Sequence, residues 1–301
     1  MKAYAPGIYP RSEALVQATR DLERGRVAPE AVEEQRRKDA EALLAAQEDA
    51  GLDLLTDGLL AWQDLFRPLA ERSPGLEARP LTRFLDTNTF YRALLVEGEP
   101  KLGDPVPAPD LPSGRWFATF PAPLALSRAA RGKASARALA ANVLAPQIEA
   151  DAAAGCALVV LSDPFLAREG GVDEEVASLR ELPTGIPLVL QLPFGDAAGV
   201  LDALVDAPVT AVGVDFYATA LEAVPEDYPK EIAAGVVDAR SSALEAPEEL
   251  AGFADALLER RPAGISLTTS GDLQFVPEPI AREKLQRLGR ASALVREKVA
   301  V

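Results

Sequence analysis

At 301 residues, 48% of them hydrophobic, the chain has material for one large core, and 46 acidic against 31 basic side chains give a formal charge of −15. A surface this acidic repels phosphate backbones and anionic lipid, which disfavours nucleic-acid and membrane-surface partners. With no histidine and one cysteine, an intramolecular disulfide and serine–histidine or cysteine–histidine nucleophile pairs are excluded, and a zinc site is hard to build.

Ala3–Ile8 is the first of eight short apolar runs. Ser12 then caps a helix to about Arg24, and Pro29 opens a second, with Glu30, Glu33 and Glu34 in its first turns where the dipole favours acid. That helix ends near Gly51. Leu54–Asp57 is the second run, and Trp62–Arg72 reads as helix. Leu81–Asp86 and Tyr91–Val96 read as a hairpin or an excursion from the main pattern. Residues 99–114 carry Pro100, Pro105, Pro107, Pro109 and Pro112, a density that no regular element survives. They read as a loop inside one domain spanning 1–301, because neither flank has strands enough for its own core.

From Trp116 the rhythm is cleaner. Trp116–Thr119 is followed by a helix from Ser135 to Ala154, stopped by Gly155, and then by the run Leu158–Leu161. Leu188–Gln191 precedes a helix from Asp196 to Val205. Ala211–Asp215 and Ile232–Asp238 are separated by a short proline-interrupted stretch. A helix from Pro247 to Arg260 leads to Ile265–Thr268, and the last helix runs from Pro279 to about Val299 with Ile280, Leu285, Leu288, Ala291 and Val295 on one face. Runs apolar on both faces suit parallel strands buried between an interior and covering helices. Eight of them alternating with helices predict an α/β fold, a (β/α)8 TIM barrel of one domain, with function at the C-terminal strand ends.

Those ends collect Tyr9, Arg11, Asp57, Thr119, Ser162, Asp163, Gln191, Asp215, Tyr217, Asp238, Arg240, Ser241 and Ser270. Carboxylates grouped on one rim raise one another's pKa, so one could act as general acid or base, or they could hold a hard cation through oxygen. The plainer reading pairs them with Arg11, Arg240 and backbone amides. Cys156 precedes its strand and reads as a buried structural thiol at the opposite end. Trp62 and Trp116 read as core or loop anchors before ligand-stacking residues, and Gly170-Gly171 as a turn. No run approaches membrane-spanning length, and MKAYAPGIYPRSE lacks the apolar core of a signal peptide, so a cytoplasmic location is expected.

Tyr228-Pro229-Lys230-Glu231-Ile232 running into Gly235-Val236-Val237-Asp238-Ala239-Arg240-Ser241 resembles the strand-seven segment of the cobalamin-independent methionine synthase family. Gly7-Ile8-Tyr9-Pro10-Arg11 is similar to that family's opening segment, and Gly51-Leu52-Asp53 with Asp57-Gly58 and Asp64 to its second. Lys284-Leu285 in the closing helix fits as well. The resemblance covers the whole chain and implies the single-barrel form of the catalytic barrel. It also implies a zinc ion held by a His-x-Cys pair, a Glu and a Cys. Those positions fall here on Gln191 and Pro193, on Asp215, and on or beside Ser270-Gly271, so zinc is not expected and no metal ligands are assigned. The family's amino-acid clamp has likewise become Ile8, Leu59 and Ser162-Asp163-Pro164, and its folate-stacking Trp falls near Ser127.

The resemblance therefore implies a methyltransferase-like barrel, with a folate or a corrinoid as the methyl donors to consider and a small molecule as ligand. Asp163 and Asp215 are the expected acid/base or cation-orienting residues. Tyr9, Arg11, Asp57, Asp64, Gln191, Tyr217, Asp238 and Ser270 are expected to position the ligand. Three readings stand open: altered, zinc-independent chemistry on a small or one-carbon substrate; methyl transfer completed by a corrinoid or methyl-transfer protein partner; and a non-catalytic small-molecule binding barrel.

Overall fold

The computed structural model describes residues 1–85, 90–131 and 133–299. Its strands are β1 Lys2–Ala3, β2 Leu76–Arg83, β3 Phe90–Val96, β4 Trp116–Pro121, β5 Cys156–Ser162, β6 Leu188–Leu192, β7 Ala211–Asp215, β8 Glu231–Val237 and β9 Gly264–Thr269. Seven of them form one parallel sheet in the order β1-β9-β8-β7-β6-β5-β4, and β2 pairs antiparallel with β3 in a separate hairpin. The remaining gap, between β1 and β4, is filled by residues 53–56. Asp53 N donates to Ala3 O at 3.0 Å, Leu55 N to Arg115 O at 2.8 Å, and Phe117 N to Leu55 O at 3.1 Å. Leu55 thereby bridges Trp116 in parallel, and the ring closes into the expected barrel.

Two runs shrink relative to the sequence reading. The first strand stops at Ala3 and the second is one bridged residue. Beyond Ala3 the chain crosses the barrel mouth, with Gly7 at φ +88° and an added Cβ only 2.1 Å from Asp272 Oδ1, so only glycine fits there. The remaining six runs are strands, and the excursion is a hairpin whose residue Asp86 lies outside the described residues.

The helices are α1 Glu13–Glu23, α2 Pro29–Asp49, α3 Arg67–Glu71, α4 Pro123–Ala129, α5 Ala136–Leu139, α6 Ala145–Ala153, α7 Leu166–Glu169, α8 Val172–Leu179, α9 Pro247–Glu259 and α10 Glu278–Val299. Ser12 caps α1 by accepting from Leu15 N. Trp62–Arg72 is helical only from Arg67, because turns occupy the preceding residues. Asp196–Val205 forms two 3-10 turns, Ala197–Gly199 and Asp202–Asp206.

The stretch from Ser135 to Ala154 is α5 and α6 joined by a π-helical turn, Ala140–Leu144. Pro146 explains the turn: it has no N–H for the Asn142 carbonyl and its ring crowds it. Leu102 N, from the proline-rich loop, takes that carbonyl at 2.9 Å. Gln147 clasps both backbone groups of Val106 in the same loop, at 2.7 and 3.2 Å. The loop is thus fastened to the helix that its own backbone satisfies.

Candidate functional site

Side-chain alternation along the strands decides what faces the barrel axis. Tyr4, Leu54, Phe117, Leu158, Val160, Val189, Ala211 and Ala233 form a separate interior cluster that fills the lower barrel. Continuing the alternation upward directs Thr119, Ser162, Gln191, Asp215 and Ser270 inward. All five are buried. Strand register makes neighbours of Ser162 and Gln191, of Gln191 and Gly213, and of Asp215 and Gly235.

Gln191 sends its amide Nε2 to Thr269 O on β9 at 3.2 Å. The strands between, β7 and β8, carry Gly213 and Gly235 at the level it crosses. A Cβ on Gly213 would lie 3.0 Å from Gln191 Cα and Cγ, and one on Gly235 2.8 Å from Ser270 Cα. Ser270 Oγ accepts from Ala239 N at 3.0 Å. Asp215 accepts from Phe194 N at 3.1 Å and from Tyr217 N at 3.0 Å, and Arg240 Nη2 stands 3.6 Å from its Oδ2. Burial raises the Asp215 pKa against those donors.

Asp163 lies one residue past inward-facing Ser162 and turns the other way. Its Oδ1 accepts from Phe165 N and Leu166 N at 2.8 and 2.9 Å, opening α7, and Arg128 Nη1 of α4 is 3.9 Å away. Burial pushes its pKa up to about 6. Glu175 of α8, wholly buried and donated to by Leu124 N at 2.8 Å, is pushed to about 8 by burial and by the Asp163 charge. The structure therefore places Asp163 among the helices outside the barrel, away from Asp215.

Tyr9 and Arg11 also leave the mouth, because β1 ends before them. The Tyr9 ring lines a gap shared with Asp39, Glu278 and Arg282. Arg11 braces the second loop, donating to Leu60 O at 3.0 Å and Trp62 O at 2.7 Å. Asp57 accepts from Leu59 N at 2.9 Å, and burial raises its pKa. Tyr217 is exposed; its hydroxyl donates to Val236 O at 3.0 Å and lies 3.2 Å from Glu245 Oε1. Glu245 Oε1 also accepts from Asp238 N at 2.8 Å and from fully buried Lys284 at 2.8 Å. Asp238 itself accepts from Arg240 N at 2.8 Å. Tyr217, Asp238 and Lys284 thus share one carboxylate, which ties the β8 loop to α10.

Over the mouth sits the hairpin. Phe84, just past β2, reaches down into the loops of three barrel strands: its ring lies 6.2 Å from Phe165, 5.9 Å from Phe194 and 6.4 Å from Phe275. Tyr91 on β3 meets Phe84 at 6.2 Å and Phe66 at 5.2 Å. Asp64 fastens the other side, accepting from Phe66 N, Arg67 N and Arg92 N at 2.9, 2.8 and 3.2 Å. Beneath the hairpin lies a narrow cleft lined by Gln63, Asp64, Leu65, Phe66, Phe84, Phe90, Tyr91, Ser162, Pro164, Phe194, Asp272 and Gln274.

The cavity includes Asp64 of the expected ligand set and Ser162 of the predicted rim. It also brings in Asp272, Gln274 and the aromatic residues, which sequence reasoning missed. Asp272 is buried, accepts from Gln274 Nε2 at 3.0 Å, and is pushed to about 6 by burial against the pull of those neighbouring donors. The signal for it was available: Asp272 follows Ser270-Gly271 directly at the end of the last strand.

Comparison with known proteins fits this geometry. The chain is 23% identical over 311 residues to a methionine synthase of Sulfurisphaera tokodaii, covering 97% of this chain and 92% of that one. The chain is thus similar, over nearly its whole length, to a protein named methionine synthase. A methionine synthase of Sulfolobus acidocaldarius is likewise 23% identical over 312 residues, covering 97% of this chain and 91% of that one. The B12-independent methionine synthase from Shewanella sp. W3-18-1, solved with selenomethionine, superimposes with a TM-score of 0.73 at 14% identity, over 99% of this chain and 98% of that one. No protein-family model matches the chain. No helix among the described residues is long and apolar enough to cross a membrane.

Proposed function

We propose that this methionine-synthase-like barrel performs zinc-independent chemistry of the methyl-transfer type on a small or one-carbon substrate held in the cavity beneath its hairpin. The observation that carries the reading is Asp272. Placed in the cleft at the barrel mouth, a carboxyl group that burial pushes up to about 6 can exchange a proton with a molecule bound there near neutral pH. Asp215, Gln191 and Ser270 complete the barrel wall next to it. Asp163 serves as a positioning residue, setting the start of α7 and the Phe165 backbone.

Zinc does not fit the residues present. The family's ligand positions fall on Gln191, Pro193, Asp215 and Ser270, none of them a soft donor. The Gln191 nitrogen is committed to Thr269 O, and both Asp215 oxygens accept from backbone amides. Among the described residues no group of three His, Cys, Asp or Glu is placed to hold a metal ion. A folate donor remains within the proposal. A corrinoid donor would have to be presented at the mouth by a partner protein, since the cavity is too small to enclose one.

A second reading, a barrel that binds without turnover, is favoured by one observation: Asp163 Oδ1 and both oxygens of Asp215 already accept from loop amides. Elemental analysis of the purified protein and an assay for methionine from homocysteine and methylfolate test the proposal. Less than stoichiometric zinc and no methionine are expected. Stoichiometric zinc with methionine formation would overturn it. Product from another methyl donor, lost in Asp272→Asn, separates the enzyme from the binder.

A further inference from the structure

Because β1 ends at Ala3, Arg11 stands outside the mouth, beside an open groove of about 380 Å³. The lining of this groove includes Arg11, Trp62, Gln63, Gln274 and Glu278. Gln63 and Gln274 also line the cleft under the hairpin, so the two spaces adjoin.

The charge of Arg11 is unmatched. In a chain of formal charge −15 a cation has many carboxylates to choose from. Arg11 nevertheless forms no ion pair among the described residues; the charge that acts on it is that of Arg36, a second cation. Its Nε and Nη2 are spent on backbone carbonyls, Leu60 O at 3.0 Å and Trp62 O at 2.7 Å, which fix the guanidinium plane. Nη1 has no partner among the described residues and is not sealed from solvent. One edge of the fork is thus held by the protein, and the end edge is left for a carboxylate or phosphate. Burial and Arg36 both lower the Arg11 pKa, and an anion beside the guanidinium would offset both effects.

The carboxylates close by are committed elsewhere. Glu278 Oε1 accepts from Arg282 at 2.7 and 3.1 Å, and Asp39 accepts from Ser12 N, Ser12 Oγ and Gln35. Gln63 gives its Oε1 to Arg67 Nη1 at 2.6 Å, which leaves its amide N–H donors unused among the described residues.

We propose that the groove is an anion-binding site, in which Arg11 and the Gln63 amide hold a carboxylate or phosphate group of a ligand whose other end enters the mouth cleft. This rests on the reading above for the ligand lying at the mouth and adds its chemical class, an organic anion anchored away from the reacting end.

Heteronuclear NMR of the full chain tests the site, since Trp62 lines the groove while Trp116, the other tryptophan, lies in the barrel wall. The Trp62 indole resonance, identified by its loss in Trp62→Phe, is followed as inorganic phosphate, succinate or chloride is added at matched ionic strength near neutral pH. Phosphate or succinate should give a saturable shift that chloride does not. Saturation by phosphate alone assigns a phosphoryl group, by succinate alone a carboxylate, and by both a site that reads charge. Arg11→Gln should weaken the saturating anion by about tenfold, and Arg11→Lys, which keeps the charge without the fork, by less. Gln63→Glu, which adds a negative charge at an exposed position, should also weaken it by about tenfold and carries the test if Arg11→Gln fails to fold. No saturable shift with either anion, or one undiminished in Gln63→Glu, would overturn the site and leave Arg11 as a brace. The zinc and methionine measurements do not depend on anion affinity, so failure here is distinguishable from failure of the functional proposal.

Discussion

Gln191 Nε2 donates to Thr269 O at 3.2 Å, so a side chain from β6 reaches a backbone carbonyl of β9 past two intervening strands. The reach depends on Gly213 and Gly235. A methyl at Gly235 would meet Val214 O at 2.6 Å and Ser270 Cα at 2.8 Å, both backbone; one at Gly213 would meet Gln191 at 3.0 Å. Gly235→Ala should therefore destabilise by more than Gly213→Ala, with the latter in the range of about 1–3 kcal/mol typical of overpacking. Urea unfolding of both variants checks the order; equal costs would mean that β8 can shift to make room.

Lys284 is fully buried and donates to both oxygens of Glu245, at 2.8 and 3.0 Å, and to Ala243 O at 2.7 Å. Lys284→Met should cost about 3–5 kcal/mol, because it strands the carboxylate that also receives Asp238 N. The double variant Lys284→Met with Glu245→Gln should recover part of that loss. Denaturant midpoints of the two variants provide the comparison.

Glu175 contributes a pH dependence of definite sign. Its pKa is held at about 8 instead of 4.5, first by burial and then by the Asp163 charge. The native state therefore holds a proton that the unfolded chain has released, and stability present below about pH 4.5 is lost as pH rises toward 8. Glu175→Gln keeps an acceptor for Leu124 N and removes the titration. It should leave stability little changed at pH 4.5 and improve it by more than ~1 kcal/mol at pH 9, even after a generous discount on the shift. Melting curves across this interval would reveal the crossing; parallel curves would show that Glu175 does not titrate here.

Phe84 touches the loops after β5, β6 and β9 through Phe165, Phe194 and Phe275. Phe84→Ala should release the hairpin while sparing the ring of strands. Amide exchange in Leu76–Arg83 and Phe90–Val96 should accelerate by about tenfold or more, with β5 to β8 unchanged. Uniform acceleration throughout the chain would show that the hairpin is part of the global fold.

The barrel was legible because β4 to β9 are bounded apolar runs separated by helices or proline-interrupted turns, a pattern with few other solutions. Its first quarter was not. Ala3–Ile8 looked like a full strand, yet the chain leaves the sheet at Ala3, which carried Tyr9 and Arg11 out of the expected rim. Trp62–Arg72 looked helical, but the Asp64 carboxylate accepts from the Phe66 and Arg67 amides and holds a turn first. The outward turn of Asp163 follows from counting alternate residues from Leu158, which places Ser162 inside. The aromatic cavity could not be read, because Phe84, Phe165, Phe194 and Phe275 are far apart in sequence and a hairpin inserted between two strand positions brings them together.

The closure of the ring is unequal. Six of its members hold one another through ladders of several residues, whereas β1 offers two and the 53–56 segment a single bridge. Breathing of the wall must begin at this seam, directly below Gly7 and Asp272. During synthesis one edge of the opening strand stays unpaired until β9 emerges to receive it, so the mouth is finished last.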